Sequence, residues 1–465
     1  MKLRLYSQYN RQLSKTGQAA VLLLKLIVNF NESLLSASFV QTFFKFFGIN
    51  LWSSTIIWAF PPTLFVLLSP LYRWIFLSKK YDSFLLNMFA LSMLMFFNSI
   101  GFVTLFNLET FAANFIMPST RMFLLGGISF TLIDFTKYLF ENLVFDYMTE
   151  FVDNDHQKRF KFLGIVVEKI GRMIGAFISC LYIVSRKTDF DRFSETFFTN
   201  MQFSYYVAAC VNITSIFLIF LLWPKNFNLQ TRPIRMKVSS LFDYFCPGYS
   251  YMTKLNRSNR MLMIRLFFIY GIYWFVATNL TQFVSNKFMA DYPYVISNSA
   301  IQSVDVGTSW GAVSLTMFYT QWGMMHVLVY PFLRRLFKYA KHVCRLLNLL
   351  GFFIYTSCYL IYFNKDVRYF VVLQGLSGLT YDWLLYEKIK LKVRRDESLL
   401  GLSLRERNYI TIKIYETVEF MAEFTFFVFV PIVFVQVPDY FQILSLGLIM
   451  LCLSISPPGD RNSSI

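Results

Sequence analysis

The feature that most constrains this sequence is a succession of about twelve apolar stretches between residues 18 and 457, most of them at least about 20 residues long. The hydrocarbon core of a bilayer takes about 20 apolar residues to cross as a helix. Inside lipid, every backbone polar group must be hydrogen-bonded within the helix itself. The pattern therefore predicts an all-α polytopic membrane protein with about twelve transmembrane helices.

The apolar stretches divide evenly around one long basic interruption. We predict spans over residues 18–40, 51–77, 84–106, 122–146, 161–185, 203–223, 261–285, 306–331, 341–363, 368–386, 408–436 and 441–457. This gives an N-terminal six-helix bundle (1–223), a basic cytoplasmic linker (224–260) and a C-terminal six-helix bundle (261–465). Two such bundles joined by a basic cytoplasmic linker are the outline of a two-bundle secondary transporter.

The formal net charge of +17 does not indicate a nucleic-acid-binding protein, because Lys and Arg are concentrated in every second loop. That asymmetry is the positive-inside pattern, and it predicts that both termini are cytoplasmic. Charged residues make up 15% of the chain and hydrophobic residues 56%, whereas a soluble protein carries about 25% charged residues. We expect an integral, multi-pass protein, with the plasma membrane as the default location and a monomer as the default assembly.

Neither a signal peptide nor a cysteine-based site is expected. The first 15 residues are polar and basic, and the apolar run that follows contains Asn29, Asn31 and Glu32, unlike the core of a cleaved signal. The six cysteines are scattered without C-x-x-C spacing, so we predict no disulfide framework, no metal site and no cofactor.

Ionisable residues within the predicted spans are the candidate functional groups, because an ionisable side chain in a bilayer is costly to keep. Glu32 lies in the first span, and the one cation in helical reach on its own helix is Lys25, seven residues earlier. Asp134, Lys137 and Glu141 share one face of the fourth span. Glu32 and Asp134 are candidate protonation sites, although Asp134 and Lys137 could equally form a structural pair.

Two further spans carry charges at helical spacing. Glu168 and Arg172 in the fifth span are four residues apart and can pair. Glu416, Glu419 and Glu423 share one face of the eleventh span, where three ionised carboxylates would repel one another. Structural ion pairing, or exposure at the membrane interface, is the alternative to a functional role for such groups.

Three stretches of the sequence carry a family resemblance. The first joins 30–33 (Phe-Asn-Glu-Ser), 58–62 (Trp-Ala-Phe-Pro-Pro) and 68–70 (Leu-Ser-Pro). The second runs from the Asp134-Phe pair through Asp146 to Gly171 and Gly175, and a weaker third combines Thr281 with 306–311 (Val-Gly-Thr-Ser-Trp-Gly). Together they resemble the sucrose-transporter-like (glycoside–pentoside–hexuronide) branch of the major facilitator superfamily.

The resemblance implies a proton-coupled sugar carrier, and it places Glu32 at the family's helix-one acid and Asp134 and Asp146 at its later acids. The chain is similar to a divergent member, because 71–80 lacks the Gly and Asp of the family's loop motif and Gln282 stands where the family has an acid.

We therefore hypothesise proton-coupled symport of a sucrose- or glucose-type sugar, with a small polar solute, protons and the lipid bilayer as partners. Trp58, Tyr273, Trp274 and Trp310 are candidate ring surfaces for the solute, although most aromatic residues in membrane helices face lipid. The alternatives are a carrier of another small polar metabolite and a non-transporting receptor or scaffold with a transporter fold. A membrane enzyme is disfavoured, because the chain has three His and no His-rich cluster.

Overall fold

The computed structural model of the protein describes residues 14–47, 60–61, 63–64, 67–68, 84–107, 118–140, 145, 148, 152, 154–184, 193–222, 248–291, 300–336, 340–364, 366–380, 393–402, 404–426 and 437–455. Within these ranges the chain is helical and contains no β-strand. The α-helices are α1 (Lys15–Phe47), α2 (Phe84–Phe106), α3 (Pro118–Leu139), α4 (Asn154–Val184), α5 (Phe193–Leu222), α6 (Tyr249–Lys254), α7 (Arg257–Asp291), α8 (Ala300–Met324), α9 (Tyr330–Leu336), α10 (Ala340–Asn364), α11 (Val367–Leu376), α12 (Leu404–Phe424) and α13 (Asp439–Ile455).

The long helices coincide with the predicted spans, and several of them extend beyond the apolar segment. α2 has the predicted bounds, whereas α4 begins at Asn154 rather than at 161 and α7 begins at Arg257, inside the predicted linker. The extensions are polar, so these helices continue past the hydrocarbon region into the interface. The predicted span 51–77 lies mostly outside the described residues.

Two helix starts are capped by side chains. At the start of α1, the hydroxyl of Ser14 accepts a hydrogen bond from the backbone N–H of Gly17 at 3.0 Å. At the start of α11, the carboxylate of Asp366 accepts one from the backbone N–H of Arg368 at 3.1 Å. Each side chain satisfies a backbone donor that the first helical turn would leave without a partner.

Glycine sets the distance between α1 and α4, the two helices that pack most extensively against each other. A Cβ atom added at Gly171 would lie 2.5 Å from the carbonyl oxygen of Leu26, and one at Gly175 would collide with the carbonyl oxygen of Phe30. The Gly171/Gly175 pair therefore lets the two backbones approach more closely than any side chain would allow.

The remaining helices complete the two halves. In the N-terminal half, α2 packs against α3 and α5; in the C-terminal half, α7 packs against α8 and α12, α8 against α11, and α10 against α13. Helices α1 and α4 contact α8, and α1 also contacts α7. The two halves therefore meet along a face made chiefly by these four helices.

Large apolar side chains cover the outer surface. Phe96 and Phe97 on α2, Phe217 on α5 and Phe353 on α10 are all exposed, Phe217 by 65% of its surface. A water-soluble protein does not expose large apolar surface of this extent. The chain is an all-α polytopic membrane protein, and these faces are its lipid-facing surface.

Three helical segments among the described residues are long and apolar enough to cross a bilayer by length and composition alone: Lys15–Ser36, Arg257–Ala277 and His342–Phe363. Three more segments, Leu91–Phe106, Ser204–Ile219 and Asp439–Ile455, are apolar but shorter. By contrast, α4 carries several charged groups, among them Glu168, Lys169 and Arg172. Charges of this kind are tolerated in a membrane helix when they face other helices instead of lipid.

Asp396 ties the segment 393–402 to the start of α7. Its carboxylate accepts hydrogen bonds from the amide of Asn259 at 2.6 Å, from the backbone N–H of Asn256 at 3.1 Å and from Ser398, whose backbone N–H lies at 3.0 Å. Burial raises the pKa of Asp396, but these hydrogen bonds outweigh it and hold the pKa below its usual value.

The glycine contact can be tested with a matched pair of alanine substitutions. Gly175→Ala should destabilise the protein by about 1–3 kcal/mol, because α1 and α4 must separate to admit the methyl group. Gly127→Ala on α3 meets nothing within 4 Å and should be neutral or stabilising by about 0.5–1 kcal/mol. Thermal unfolding of the two purified variants measures the difference; equal effects would contradict the close α1–α4 contact.

The Asp396 contacts predict a stability change with pH. Because its folded-state pKa is depressed, its stabilising contribution is complete above the ordinary aspartate pKa and is lost as pH falls through the folded-state value. Asp396→Ala should lower the free energy of unfolding by about 1–3 kcal/mol at neutral pH, since it leaves the buried amide of Asn259 without its acceptor. It should also flatten the acid limb of the melting-temperature profile. A profile that keeps its acid limb in the variant would show that other groups cause it.

Candidate functional site

Glu32 lies at the centre of a buried group of charges between helices α1, α3 and α4. The Nζ atom of Lys137 donates a hydrogen bond to its Oε1 at 2.7 Å, and a guanidinium nitrogen of Arg172 lies 3.1 Å from its Oε2. Glu32 is 3% exposed and both cations are 2% exposed. Such burial is expensive for a charge on its own, so the three groups stabilise one another.

Arg172 connects this ion pair to the other half of the molecule. Its Nε donates to the side-chain oxygen of Asn29 at 3.0 Å, and its NH1 group donates to the hydroxyl of Tyr273 on α7 at 3.3 Å. The hydroxyl of Ser33 donates to the backbone carbonyl of Arg172 at 2.5 Å. Arg172 is therefore fixed by α1 on one side and reaches α7 on the other.

A second carboxylate, Glu168, lies one turn before Arg172 on α4. It lies 2.6 Å from the Nζ of Lys169, 3.3 Å from that of Lys25 and 3.8 Å from the guanidinium of Arg172. Arg172 joins the ion pairs of Glu32 to those of Glu168, because its guanidinium contacts both carboxylates. We call the whole group the charged cluster: Lys25, Glu32, Lys137, Glu168, Lys169 and Arg172.

Aromatic rings of the C-terminal half cover the charged cluster. The Nζ of Lys137 lies 4.1 Å from the ring centroid of Trp274, and that of Lys169 lies 2.8 Å from the ring of Trp322. A cation over an aromatic face is attracted by the electron density of the ring. Trp274 on α7 and Trp322 on α8 pack against two tyrosine rings of the same helices. We call the four residues the aromatic wall: Tyr273, Trp274, Tyr319 and Trp322.

Two further features border the cluster. Asp134 lies one turn before Lys137 on α3 and is 4% exposed. The side-chain amide of Asn31 donates to that of Asn212 on α5 at 2.9 Å, and both residues are fully buried. This amide pair holds the register of α1 next to Glu32.

The structure brings together most of the described residues that the sequence singled out. Glu32, Lys137, Glu168, Arg172, Tyr273 and Trp274 belong to the charged cluster or the aromatic wall, with Asp134 beside them. Glu419 and Glu423 lie on α12, which packs against α7. Trp310 lies on α8, but its side chain is outside the described part; Trp58, Glu141 and Asp146 are outside the described residues altogether.

The pairing within the cluster differs from what single-helix spacing suggests. Lys25, the cation nearest to Glu32 along α1, pairs with Glu168, whereas Glu32 takes its partners from α3 and α4. Lys137 contacts Glu32, not only its neighbours on α3. Helical periodicity detects partners on one helix and cannot detect partners on another.

Sequence reasoning missed Lys169, Tyr319 and Trp322. Lys169 adjoins Glu168, and a Lys in the middle of a predicted span is itself a signal of function. Tyr319 and Trp322 are three residues apart and therefore share one face of α8, but membrane helices rich in aromatic residues show many such pairs.

An apolar cavity of about 470 Å³ lies elsewhere, between α1 and α5, and is lined by residues such as Leu23, Leu26, Tyr206 and Cys210. It contains almost no polar surface. It suits lipid chains and not a polar solute.

Solved structures with a similar arrangement of helices include several transporters. The nucleoside transporter NupG superposes with a TM-score of 0.58 at 13% identity, over 95% of this chain and 97% of that chain. The fold is that of the major facilitator superfamily. The xylose transporter XylE from E. coli gives 0.56 at 11% identity, over 94% and 95% of the two chains. The E. coli fucose:proton symporter FucP gives 0.52 at 13% identity, over 94% and 97%.

At these identities the likeness shows the fold alone. No protein-family model matches the sequence, and no curated protein matches it.

The mutual dependence of the buried charges can be tested by a double-mutant cycle. Glu32→Gln should lower the free energy of unfolding by about 3–5 kcal/mol, because it removes the buried carboxylate that neutralises Lys137 and Arg172. Adding Lys137→Met should recover part of that loss, with a coupling of about 1–3 kcal/mol between the two sites. The coupling is measured from unfolding in detergent of the unsubstituted protein, the two single variants and the double variant.

Arg368→Gln is the control, because it removes the exposed ion pair with Asp366, in which the Arg368 side chain is 69% exposed. It should cost less than about 1 kcal/mol. Strictly additive effects of Glu32→Gln and Lys137→Met would show that the 2.7 Å contact contributes nothing to stability.

Proposed function

We propose that this protein is a secondary-active transporter that moves a small polar solute by alternating access. The moving parts are an N-terminal bundle (1–223) and a C-terminal bundle (261–465) joined by a cytoplasmic linker (224–260). The fold supports this proposal, since it matches solved transporters over nearly the whole chain. In such folds the two bundles rock about a site near the middle of the membrane.

The observation that carries the proposal is the polar bridge from Glu32 through Arg172 to Tyr273. It begins on α1, passes through α4 and ends on α7, so it joins the two bundles. Rocking of the bundles separates Arg172 from Tyr273, whereas the Glu32–Arg172 contact stays within one bundle. A solute that binds Arg172 or the aromatic wall therefore changes the strength of the contact between the bundles.

Proton coupling is proposed through Glu32, with Asp134 as the second group. Protonation of Glu32 removes the negative charge that holds Lys137 and Arg172 at 2.7 and 3.1 Å. The two cations then become available to other partners, including the solute. Binding of a proton and binding of the solute are linked in this way because both act on Arg172.

A sugar is the proposed type of solute on the sequence resemblance. The rings of Tyr273, Trp274 and Trp322 supply flat apolar faces, and Arg172 and Asn29 supply hydrogen-bond donors and acceptors beside them. Trp58 and Trp310 belong to the same proposal. The sugar would enter between the aromatic wall and the charged cluster when the bundles separate.

The proposed setting is the plasma membrane, with both termini in the cytoplasm and a single chain as the working unit. The distribution of Lys and Arg among the loops supports the orientation. The same placement of positive charge argues against a nucleic-acid partner. The buried cluster pairs its charges with one another, which favours transport over catalysis.

The proposal is tested by uptake into proteoliposomes. Labelled sucrose, glucose and trehalose are offered with and without an inward proton gradient. The gradient should raise the solute concentration inside the vesicles above that outside. Glu32→Gln should abolish this accumulation while sparing solute exchange, because exchange needs no net proton movement. Unchanged uphill uptake in Glu32→Gln would eliminate the proton role.

Glu397→Gln is the matched control, since it neutralises an exposed carboxylate in the segment 393–402 and should transport normally. Uptake that ignores the gradient in every protein would indicate a facilitator. Thermal stabilisation by a solute without any flux would indicate a non-transporting receptor. Flux of a different metabolite and of no sugar would show that the transported solute is not a sugar.

A further inference from the structure

We infer that the outer face at the start of α7 binds an anionic phospholipid, with Arg257 and Arg260 on its phosphate and an apolar stripe of the same helix along its acyl chains. The site lies at the end of α7 that adjoins the predicted linker. The inference goes beyond the proposed function, because this site holds a component of the membrane and not the transported solute.

The first observation is that α7 has two different faces where it begins. Leu262 and Leu266 are buried in an apolar cluster that also contains residues of α12. The opposite face carries exposed apolar side chains, which we call the lipid stripe: Met261, Ile264 and Phe268. In a helix that crosses a bilayer, an exposed apolar face of this kind contacts hydrocarbon chains.

The second observation is that the two arginines lie on the face of the lipid stripe. Arg257 precedes Met261 by four residues, and Arg260 precedes Ile264 by four residues, which is about one turn of a helix. Both arginine side chains are exposed. They therefore stand where the apolar surface of α7 ends, at the level that phosphate groups occupy in a bilayer.

The third observation is that these guanidinium groups are unpaired. Within the described part of the chain, the side chains of Arg257 and Arg260 form neither an ion pair nor a hydrogen bond, and the same holds for the exposed Arg395. By contrast, the exposed Arg368 pairs with Asp366 at 2.8 Å. The donors of Arg257 and Arg260 are therefore available to a ligand from outside the protein.

The start of α7 is held in one position from its buried side. The carboxylate of Asp396 accepts hydrogen bonds from the backbone N–H of Asn256 at 3.1 Å and from the amide of Asn259 at 2.6 Å. The backbone N–H of Asn259 donates to the side chain of Asn256 at 2.9 Å. Because these contacts use backbone donors at the helix start, the positive charge of the site comes from the arginine side chains.

The chemistry of these groups selects an anionic phospholipid. A planar guanidinium matches two phosphate oxygens at once. Arg395 adjoins Asp396, and the exposed Lys254 lies shortly before α7, so both add positive charge at the same end of the helix. This charge repels the cationic part of a zwitterionic headgroup. In the proposed orientation this end of α7 faces the cytoplasm, where anionic lipids give the membrane a negative surface potential.

The test is lipid binding to the detergent-solubilised protein, measured by native mass spectrometry. Phosphatidylglycerol and phosphatidylcholine with the same acyl chains are titrated at constant ionic strength. Phosphatidylglycerol should bind more tightly. The double variant Arg257→Gln/Arg260→Gln should weaken the phosphatidylglycerol affinity by about 30-fold, because each basic residue near an anionic headgroup contributes to binding.

Matched variants assign this effect to the site. Arg257→Lys/Arg260→Lys keeps both charges and should recover most of the affinity, whereas Arg368→Gln removes an exposed cation at the start of α11 and should leave it unchanged. The double Gln variant should melt at the temperature of the unsubstituted protein in detergent without lipid, because its arginines have no partner to lose. Glycerol 3-phosphate should not displace phosphatidylglycerol at equal concentration, because it lacks the acyl chains that cover the lipid stripe.

The inference is overturned if the two lipids bind equally, if the double Gln variant keeps its phosphatidylglycerol affinity, or if Arg368→Gln lowers that affinity as much. A lower melting temperature of the double Gln variant without lipid would contradict the unpaired state of the arginines. Displacement by glycerol 3-phosphate at equal concentration would show a phosphate site that does not use the lipid stripe, and would overturn the phospholipid as its ligand.

Discussion

Mutual neutralisation of buried charges is the interaction on which the centre of this molecule depends. Glu32 on α1 holds Lys137 on α3 at 2.7 Å and Arg172 on α4 at 3.1 Å, with all three side chains nearly inaccessible. None of these helices could carry its charge into the membrane alone at a tolerable cost, because lipid offers nothing to replace the lost hydration. The three helices must therefore assemble with their charged faces together, and this requirement fixes their relative rotation.

The close approach of α1 and α4 makes that assembly possible. Gly171 and Gly175 stand on either side of Arg172 along α4, and each faces a backbone atom of α1. The short separation allows the hydroxyl of Ser33 to reach the carbonyl of Arg172 at 2.5 Å and brings the guanidinium within reach of Glu32. Packing and electrostatics are thus coupled here, since a larger residue at either glycine would lengthen the ion pairs as well as open the helix interface.

The two halves contribute different chemistry to the face where they meet. The N-terminal half supplies the ion pairs, and the C-terminal half supplies the rings of Tyr273, Trp274 and Trp322 together with one hydroxyl donor and acceptor. Contacts between cations and rings are weaker and less directional than ion pairs. The ion-pair partners that the structure shows for Glu32 and Glu168 all lie on α1, α3 and α4.

The sequence by itself determined the fold class and the positions of most helices, because a run of about 20 apolar residues has one stable form in a bilayer. It also identified Glu32, Asp134, Lys137, Glu168 and Arg172, since the cost of a charge in a span marks it without any knowledge of the neighbours. The tertiary structure decided which charges pair: Lys25 serves Glu168, Glu32 takes Lys137 and Arg172, and Lys169 lies under Trp322. Helical periodicity reports which residues share a face of one helix, but the partner on another helix depends on rotation and spacing that only the packed structure contains. For the same reason Tyr319 and Trp322 could not be told from lipid-facing aromatic residues until α8 was placed against α4.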